Sequence, residues 1–211
     1  MKIIVFGATG GVGTHVLEQA VAAGHEVTAF VRTPAKVTTP DVEIVQGDAF
    51  DADDVRALAG HDVVISALGS TAGPDKDTSL RRMATNLAAA LPASGVQRVV
   101  WCASAGVDGE MPGLSGKIVM KLLAKTLADH RAAIAALRTS GVPLTVARPG
   151  ALKDGPLAPY VEAIDAPNTV GANAISRASV ADFLLKAATE PTYEGHAVTL
   201  GRKKEPATRA G

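Results

Sequence analysis

A glycine-rich loop near the start of the chain constrains the fold more than any other feature. It reads Gly7-Ala-Thr-Gly-Gly-Val-Gly13 and joins a short apolar run, Lys2–Phe6, to an amphipathic segment, Gly11–Ala23. Glycines between a strand and a helix permit a tight turn, close approach of a pyrophosphate and close packing of the helix on the strand. The helix start also offers free N–H groups to the phosphates. The loop therefore predicts a dinucleotide site rather than a structural turn, with contacts from Gly7, Thr9, Gly10, Gly11, Val12 and Gly13.

Short β-branched runs alternate with longer segments of helical periodicity. Strands are predicted at Lys2–Phe6, Glu26–Val31, Val42–Val45, Asp62–Ala67, Gln97–Cys102, Leu144–Ala147 and Ala197–Leu200. Helices are predicted at Gly11–Ala23, Asp51–Ala59, Ser79–Ala93, within Lys117–Thr139 and at Val180–Ala188. This alternation predicts an α/β fold, a doubly wound Rossmann-like parallel sheet with helices on both faces. We expect one domain over residues 1–201 and a disordered tail over residues 202–211.

Composition excludes several other classes of protein. The chain has 211 residues, 47% of them hydrophobic and 3% aromatic, with 21 basic residues, 21 acidic residues and one cysteine. These values argue against disorder and against a nucleic-acid partner. No apolar run approaches the ~18 residues that span a bilayer, and the five histidines lack metal-ligand spacing. We expect a cytoplasmic protein with a small-molecule substrate and no membrane partner or metal ion; monomer and homodimer both stay open.

The end of the second predicted strand bears on the choice of dinucleotide. An NAD site places an acidic residue there for the ribose 2′-hydroxyl, whereas an NADP site places an arginine near the 2′-phosphate. This strand ends Phe30-Val-Arg32-Thr, with no acidic residue beside Arg32. A guanidinium matches a phosphate in charge and geometry, and Thr9 could add a hydroxyl. The sequence favours NADP(H) over NAD(H), the alternative being an ordinary solvated arginine.

Further motifs follow the later strands. They are Gly47-Asp48, Ser66-Ala-Leu-Gly69, Cys102-Ala-Ser-Ala105, Leu137-Arg-Thr-Ser-Gly141, Ala147-Arg-Pro-Gly150, Ile175-Ser-Arg-Ala-Ser-Val-Ala-Asp182 and Tyr193-Glu-Gly-His196. With the glycine loop and Val31-Arg-Thr-Pro34, they resemble the atypical short-chain dehydrogenase/reductase family over nearly the whole chain. The nearest subgroup is the NAD(P)H-binding proteins similar to biliverdin-IXβ reductase/flavin reductase (NmrA-like).

The resemblance implies further cofactor contacts at the carboxyl ends of the strands, where open α/β sheets bind ligands. Asp48 and Ala49 would border the adenine. The ribose and pyrophosphate would be lined by Ala67, Leu68 and Gly69. The nicotinamide would lie against Ala103, Ser104, Pro149 and Gly150.

The sequence departs from the wider family in its proton donors. The Tyr-x-x-x-Lys pair is absent, since Ile164 lies four positions after Tyr160 and Ala197 four after Tyr193; the subgroup's histidine after the sixth strand is also absent. Ser104 is the candidate catalytic residue, with capping of its own turn as the alternative. His130 is expected to lie on the surface of its helix and to pair with a carboxylate; the alternative is a general acid near the cleft. The stripe Lys117, Lys121 and Lys125 is expected to be solvated on one helix face, and Cys102 to be an inert buried thiol.

Three stretches are expected to form substrate loops, at residues 70–80, 105–116 and 151–177; the last of them lacks clear periodicity. The favoured function is an NADPH-dependent oxidoreductase acting on a small planar or carbonyl-bearing acceptor, in the manner of a flavin, quinone or biliverdin reductase. A non-catalytic NADP(H)-sensing regulator of the NmrA type and a sugar-nucleotide epimerase-like enzyme are the alternatives.

Overall fold

A computed structural model describes residues 1–70, 78–109, 113–166 and 174–201 of the chain. Among the described residues, one sheet is formed by eight strands: β1 (Lys2–Phe6), β2 (Glu26–Val31), β3 (Glu43–Gln46), β4 (Val63–Ser66), β5 (Arg98–Cys102), β6 (Leu144–Pro149), β8 (Val161–Ile164) and β10 (Ala197–Gly201). Their order across the sheet is β3-β2-β1-β4-β5-β6-β10-β8. Neighbouring strands pair in parallel, except that β8 runs antiparallel to β10 at one edge. A separate two-stranded sheet joins β7 (Leu152–Lys153) to β9 (Ile175–Ser176).

Helices cover both faces of the large sheet. On one face α1 (Gly11–Ala22) packs against α5 (Arg177–Thr189), and on the other α2 (Ser79–Ala90) packs against α4 (Ala124–Arg138). The remaining helix, α3 (Gly113–Leu122), precedes α4. Short 3-10 turns lie at Pro34–Lys36, Asp54–Leu58, Leu91–Ala93 and Pro191–Tyr193. The central strands β4 and β6 are buried throughout, as expected for parallel strands covered on both faces.

The core contains the chain's single tryptophan and a pair of phenylalanines at the carboxyl edge of the sheet. Trp101 in β5 is fully buried. The rings of Phe6 and Phe30 lie 4.5 Å apart between their centroids, at the carboxyl ends of β1 and β2. Phe30 also packs against Gly47, where a Cβ atom would lie 2.5 Å from the ring. Gly47 is therefore required at this position, because any side chain would displace the ring that forms one wall of the site.

The order of strands creates a crevice. From β1 the chain proceeds outward through β2 and β3, and then crosses to β4, β5 and β6 on the other side of β1. The loops after β1 and β4 therefore leave the sheet in opposite directions. Such a switch point at the carboxyl edge of an open α/β sheet is where ligands bind.

The Rossmann-like α/β fold predicted from the sequence is confirmed, with three local corrections. The sheet is not wholly parallel, because β8 forms an antiparallel edge from within the stretch predicted to be a loop at 151–177. The single helix expected within Lys117–Thr139 is two helices that meet at Leu123, so the three lysines do not share one helix. The last helix begins at Arg177, ahead of the predicted Val180, because the Ser176 hydroxyl accepts the Ser179 N–H at 3.2 Å and caps it.

The structure also revises two other expected loops. Residues 79–80 of the loop at 70–80 open α2, and residues 113–116 of the loop at 105–116 open α3. Parts of all three loops (residues 71–77, 110–112 and 167–173) and the tail at 202–211 lie outside the described residues. No helix in the described part of the chain is long and apolar enough to cross a membrane.

Candidate cofactor-binding site

A cavity of about 270 Å³ opens at the switch point of the sheet. It is formed by the loops that follow β1, β2, β3 and β4. Its lining includes nine residues singled out from the sequence: Gly7, Thr9, Gly10, Arg32, Asp48, Ala49, Ala67, Leu68 and Gly69. Seven others complete it: Ala8, Phe30, Val31, Gly47, Phe50, Ser70 and Met83. The motifs around the first four strands therefore converge on one crevice.

Two glycines of the first loop are required by packing. At Gly7, where φ is +74°, a Cβ atom would lie 2.5 Å from the carbonyl oxygen of Ala67. At Gly13 a Cβ atom would lie 2.1 Å from the carbonyl oxygen of Gly7. Both contacts involve backbone atoms that cannot move aside, so these glycines bring α1 close to β1 and β1 close to β4.

Gly10 is exposed at the mouth of the cavity instead. Its N–H donates to the carbonyl oxygen of Gly7 at 2.9 Å, which closes the turn. It is the N-cap of α1, where no side chain caps the helix and no acidic residue stands in the first turn. The start of α1, with its free N–H groups and the positive end of the helix dipole, therefore lies at the edge of the cavity, an arrangement that suits phosphate.

Gly11, expected to contact the dinucleotide, lies beside a side chain that the sequence did not predict, that of Arg177. A Cβ atom at Gly11 would lie 2.7 Å from Cδ and 2.8 Å from Nε of Arg177. The space beside this glycine is thus filled by a side chain from the first residue of α5. Nothing in the sequence pattern pointed to this contact, because the two residues are far apart in the chain.

The wall at the end of β2 carries an exposed cation. Arg32 follows buried Val31, and its guanidinium makes no hydrogen bond or ion pair with another described residue. The carboxylate of Asp48, the acidic residue of the described lining, accepts the N–H of Phe50 at 3.1 Å and so turns back on its own loop. The Asp48 N–H in turn donates to Asp54 at 2.9 Å.

The opposite wall is apolar and is held by α2. Asn86 donates from Nδ2 to the carbonyl oxygen of Ala49 at 3.0 Å, which fixes the loop after β3. Phe50 and Met83 present apolar surface to the cavity. The guanidinium of Arg82 lies 4.9 Å from the centre of the Phe50 ring. Sequence reasoning missed these residues; the only signal was the apolar face of α2, which by itself predicts core.

The residues expected at the nicotinamide end lie outside this cavity. Ala103 and Ala105 donate their N–H groups at 2.8 Å to the carbonyl oxygens of Ala147 and Pro149, so the loop after β5 continues to pair with β6. Ser104 is half-buried, and its hydroxyl donates to the carbonyl oxygen of Ala105 at 3.2 Å. The predicted contacts that do not line the cavity are Gly11, Val12, Gly13, Ala103, Ser104, Pro149 and Gly150.

Both tyrosines of the chain are engaged with carboxylates. Tyr160 donates to Asp182 at 2.7 Å, and burial with this carboxylate raises the pKa of Tyr160. Tyr193 donates to Glu162 at 2.6 Å, and burial again raises the pKa of its phenol. Phenols with raised pKa values and fixed acceptors are poor proton donors.

Two expectations for other titratable residues are resolved. Cys102 is buried, as expected, and this burial raises the pKa of its thiol to about 12, which disfavours the reactive thiolate. The surface position expected for His130 was wrong: it lies on the inward face of α4 and is 8% exposed. Among the described residues no group of three or more His, Cys, Asp and Glu side chains could hold a metal ion.

The fold, the switch-point crevice and the uncapped start of α1 define a Rossmann-like dinucleotide-binding protein. A family model described as NAD(P)H-binding matches residues 7–191. The chain belongs to this NAD(P)H-binding family, which confirms the family expected from its motifs.

Two relatives extend this result. An uncharacterised chloroplast protein of Arabidopsis thaliana is 32% identical over 200 residues, covering 88% of this chain and 71% of that protein. The uncharacterised protein YwnB of Bacillus subtilis is 40% identical over 77 residues. That match spans 36% of this chain and 35% of the bacterial protein.

Solved structures share the fold along the whole chain. ChuY, an anaerobillin reductase of Escherichia coli O157:H7, is 24% identical with a TM-score of 0.80, over 98% of this chain and 100% of that one. A short-chain dehydrogenase/reductase of Veillonella parvula in complex with NADP is 19% identical with a TM-score of 0.79, over 98% of this chain and 95% of that one.

Proposed function

We propose that the protein is an NADPH-dependent oxidoreductase that reduces a small planar or carbonyl-bearing acceptor of the flavin, quinone or biliverdin type. The observation that carries the proposal is the uncapped N-terminus of α1 at the cavity, behind the exposed Gly10. Free N–H groups there fit a pyrophosphate, and the apolar wall around Phe50 and Met83 fits an adenine. When bound, the dinucleotide supplies the hydride, while the protein binds, orients and shields the reactants.

The preference for NADPH over NADH rests on Arg32 and Thr9. Arg32 is exposed, and its guanidinium pairs with no other residue that the structure describes. Its charge is therefore available to a 2′-phosphate. Thr9 lines the same cavity and offers a hydroxyl. The Asp48 carboxylate accepts the N–H of Phe50 through Oδ1, a contact that orients this side chain toward its own loop. The NADP complex of the Veillonella protein is consistent with this preference.

We infer the class of acceptor from the two tyrosines. Tyr160 and Tyr193 are the chain's two tyrosines, and both donate to carboxylates. An acceptor that takes its proton from solvent needs neither of them, as is the case for a flavin or a quinone. ChuY, with a related fold, is an anaerobillin reductase, which also supports a planar acceptor.

Ser104 is the proposed substrate-orienting residue at the other end of the site. It follows β5, next to Ala103, and would lie beside the nicotinamide together with Pro149 and Gly150. Its hydroxyl now holds only a neutral contact to a carbonyl oxygen at 3.2 Å, which a substrate can replace. A hydrogen bond strengthened in the transition state would act on kcat more than on cofactor affinity.

NADPH oxidation with a flavin, a quinone and biliverdin tests the proposal. We expect turnover with at least one acceptor and faster turnover with NADPH than with NADH. Ser104→Ala should lower kcat by roughly three- to tenfold, the worth of one neutral hydrogen bond, and leave the NADPH dissociation constant unchanged. The matched control is Ser140→Ala, which removes a hydroxyl that donates to the Leu137 carbonyl oxygen at 2.7 Å in the loop after α4.

Because Tyr160 and Tyr193 are both bound to carboxylates, a second candidate is a regulator that senses NADP(H) without turning it over. The same acceptor panel separates the two. NADPH binding by calorimetry without oxidation by any acceptor would refute the reductase and support the sensor. Unchanged turnover in Ser104→Ala would remove this residue from the site.

A further inference from the structure

Arg177 is the first residue of α5, and its side chain extends across to the first residue of α1. Its Cδ, Nε and Cζ atoms lie 2.7, 2.8 and 3.8 Å from the position of a Cβ atom on Gly11. The aliphatic stem is therefore in contact with the glycine loop, with the guanidinium beside the start of α1. Only glycine at position 11 leaves room for the Arg177 side chain; a Cβ atom there would displace it.

The guanidinium is held by a weak partner. Its Nη1 donates to Oδ1 of Asp154 at 2.6 Å, and the Asp154 side chain is 95% exposed. Surface ion pairs of this kind contribute little, because water solvates both charges. A guanidinium has five N–H donors, and this is the one hydrogen bond it makes among the described residues. Arg177 can therefore change partner at low cost.

The charges around Arg177 favour an anion. The first turn of α1 holds no acidic residue, and Gly10 brings no capping side chain. The free N–H groups of that turn and the guanidinium thus provide positive potential side by side. Arg32, the cation of the cavity lining, lies at the end of β2, and the proposed function assigns it to the 2′-phosphate.

We propose that Arg177 is a further cofactor-binding residue, which pairs with the pyrophosphate of the dinucleotide and exchanges Asp154 for it. The proposal rests on the proposed function for its ligand. Arginine and phosphate form paired, charge-assisted hydrogen bonds, which are stronger than the pair with an exposed carboxylate. Because the pyrophosphate is common to NADPH and NADH, Arg177 contributes affinity without discriminating between them.

Calorimetric titration of Arg177→Ala with three ligands tests the assignment. NADPH and NADH carry a pyrophosphate, whereas adenosine 2′-monophosphate carries only the phosphate assigned to Arg32. We expect Arg177→Ala to weaken NADPH and NADH equally, by about 10- to 100-fold, the range of hydrogen bonds to a charged group. Binding of adenosine 2′-monophosphate should stay within about twofold of wild type, which also shows that the variant is folded.

Asp154→Asn separates phosphate binding from a structural role. It removes the same ion pair but keeps the guanidinium, so NADPH binding should be unchanged or up to about threefold tighter. An Asp154→Asn variant that binds NADPH as weakly as Arg177→Ala would overturn the proposal, since Arg177 would then act by anchoring the Asp154 segment. Equal weakening of adenosine 2′-monophosphate by Arg177→Ala would overturn it too.

The result is distinguishable from a failure of the proposed function. A wild-type protein that binds NADPH but reduces no acceptor refutes the reductase and leaves Arg177 testable by the same titrations. A wild-type protein that binds neither dinucleotide overturns both proposals.

Discussion

Arg32→Gln tests the assignment of the 2′-phosphate most directly. The substitution keeps a polar side chain of similar length at the end of β2 and removes only the charge. The fold should be unaffected, because Arg32 is exposed and its backbone carbonyl, which accepts from Gln46 at 3.5 Å, is retained. The variant should bind NADPH more weakly and bind NADH as wild type does.

The expected size follows from the exposure of Arg32. In water, two unit charges about 4 Å apart attract by about 1 kcal/mol, and a phosphate monoester carries about two charges. Charged hydrogen bonds measured by mutation contribute about 1.5–3 kcal/mol. For a solvated guanidinium we take about 1.5–2.5 kcal/mol, which is a roughly 10- to 70-fold loss of NADPH affinity. The change for NADH should stay within about twofold, since it lacks the phosphate.

Calorimetric titration of both dinucleotides measures this difference. Lys36→Gln is the matched control, because Lys36 is an exposed cation close to Arg32 in the chain but outside the cavity lining. It removes the same charge without removing the proposed contact, so its effect on NADPH should be small and should vanish at high salt. Equal losses for NADPH and NADH in Arg32→Gln, or equal effects of the two substitutions, would refute the reasoning.

Three further substitutions give separate readouts. Gly10→Val should reduce the affinity for both dinucleotides by more than about 100-fold, because Gly10 lines the mouth of the cavity where the pyrophosphate is proposed to bind. The circular dichroism spectrum should stay native, because a Cβ atom there meets only the Gly7 carbonyl oxygen, at 3.2 Å. Tyr160→Phe should keep kcat within about twofold and cost about 1 kcal/mol of stability by urea unfolding, because its hydroxyl is a structural donor. Asp165→Asn should make stability less dependent on pH below about 4, because the Ala197 N–H and His196 hold the Asp165 pKa below its ordinary value of 3.8. A group with a lowered pKa stabilises the fold above its unfolded pKa, and this stability is lost as the pH falls through the folded pKa.

Each of these has an outcome that contradicts it. Native-like NADPH binding by folded Gly10→Val would mean that the loop does not receive the pyrophosphate. A large fall of kcat in Tyr160→Phe would make this tyrosine the proton donor and reopen the class of acceptor. Parallel stability curves for wild type and Asp165→Asn in urea between pH 3 and pH 7 would show that the carboxylate is not favoured by folding.

The parts of the fold that sequence reasoning predicted are those set by local contacts. The unit of β1, the glycine loop and α1 is continuous in sequence, so its turn and packing glycines are readable as a motif. Strand β8 was missed, since its four residues, Val161–Ile164, are short, partly exposed and paired with β10 more than 30 residues later. Only the folded chain shows that a segment without periodicity supplies a sheet edge.

The same distinction explains what could be predicted of the candidate site. Residues at or just after the end of a predicted strand, such as Ala67 and Arg32, were predicted to line the crevice because parallel strands end at one edge. Met83 reaches the cavity from α2, and Arg177 reaches Gly11 from α5; the direction of both side chains depends on how these helices pack against the sheet. His130 was placed on the surface for the same reason, because the periodicity of α4 alone did not reveal which of its faces is covered.

Trp101, as the chain's single tryptophan, gives the protein an intrinsic fluorescent reporter. It is fully buried, and its indole nitrogen makes no hydrogen bond with a described residue. Emission from an indole in such apolar surroundings should lie at the blue end of its range. Trp101 lies three residues before Ser104, and reduced nicotinamide absorbs in the region where tryptophan emits. Quenching of this one emitter by energy transfer would therefore report the arrival of the reduced ring without any added label.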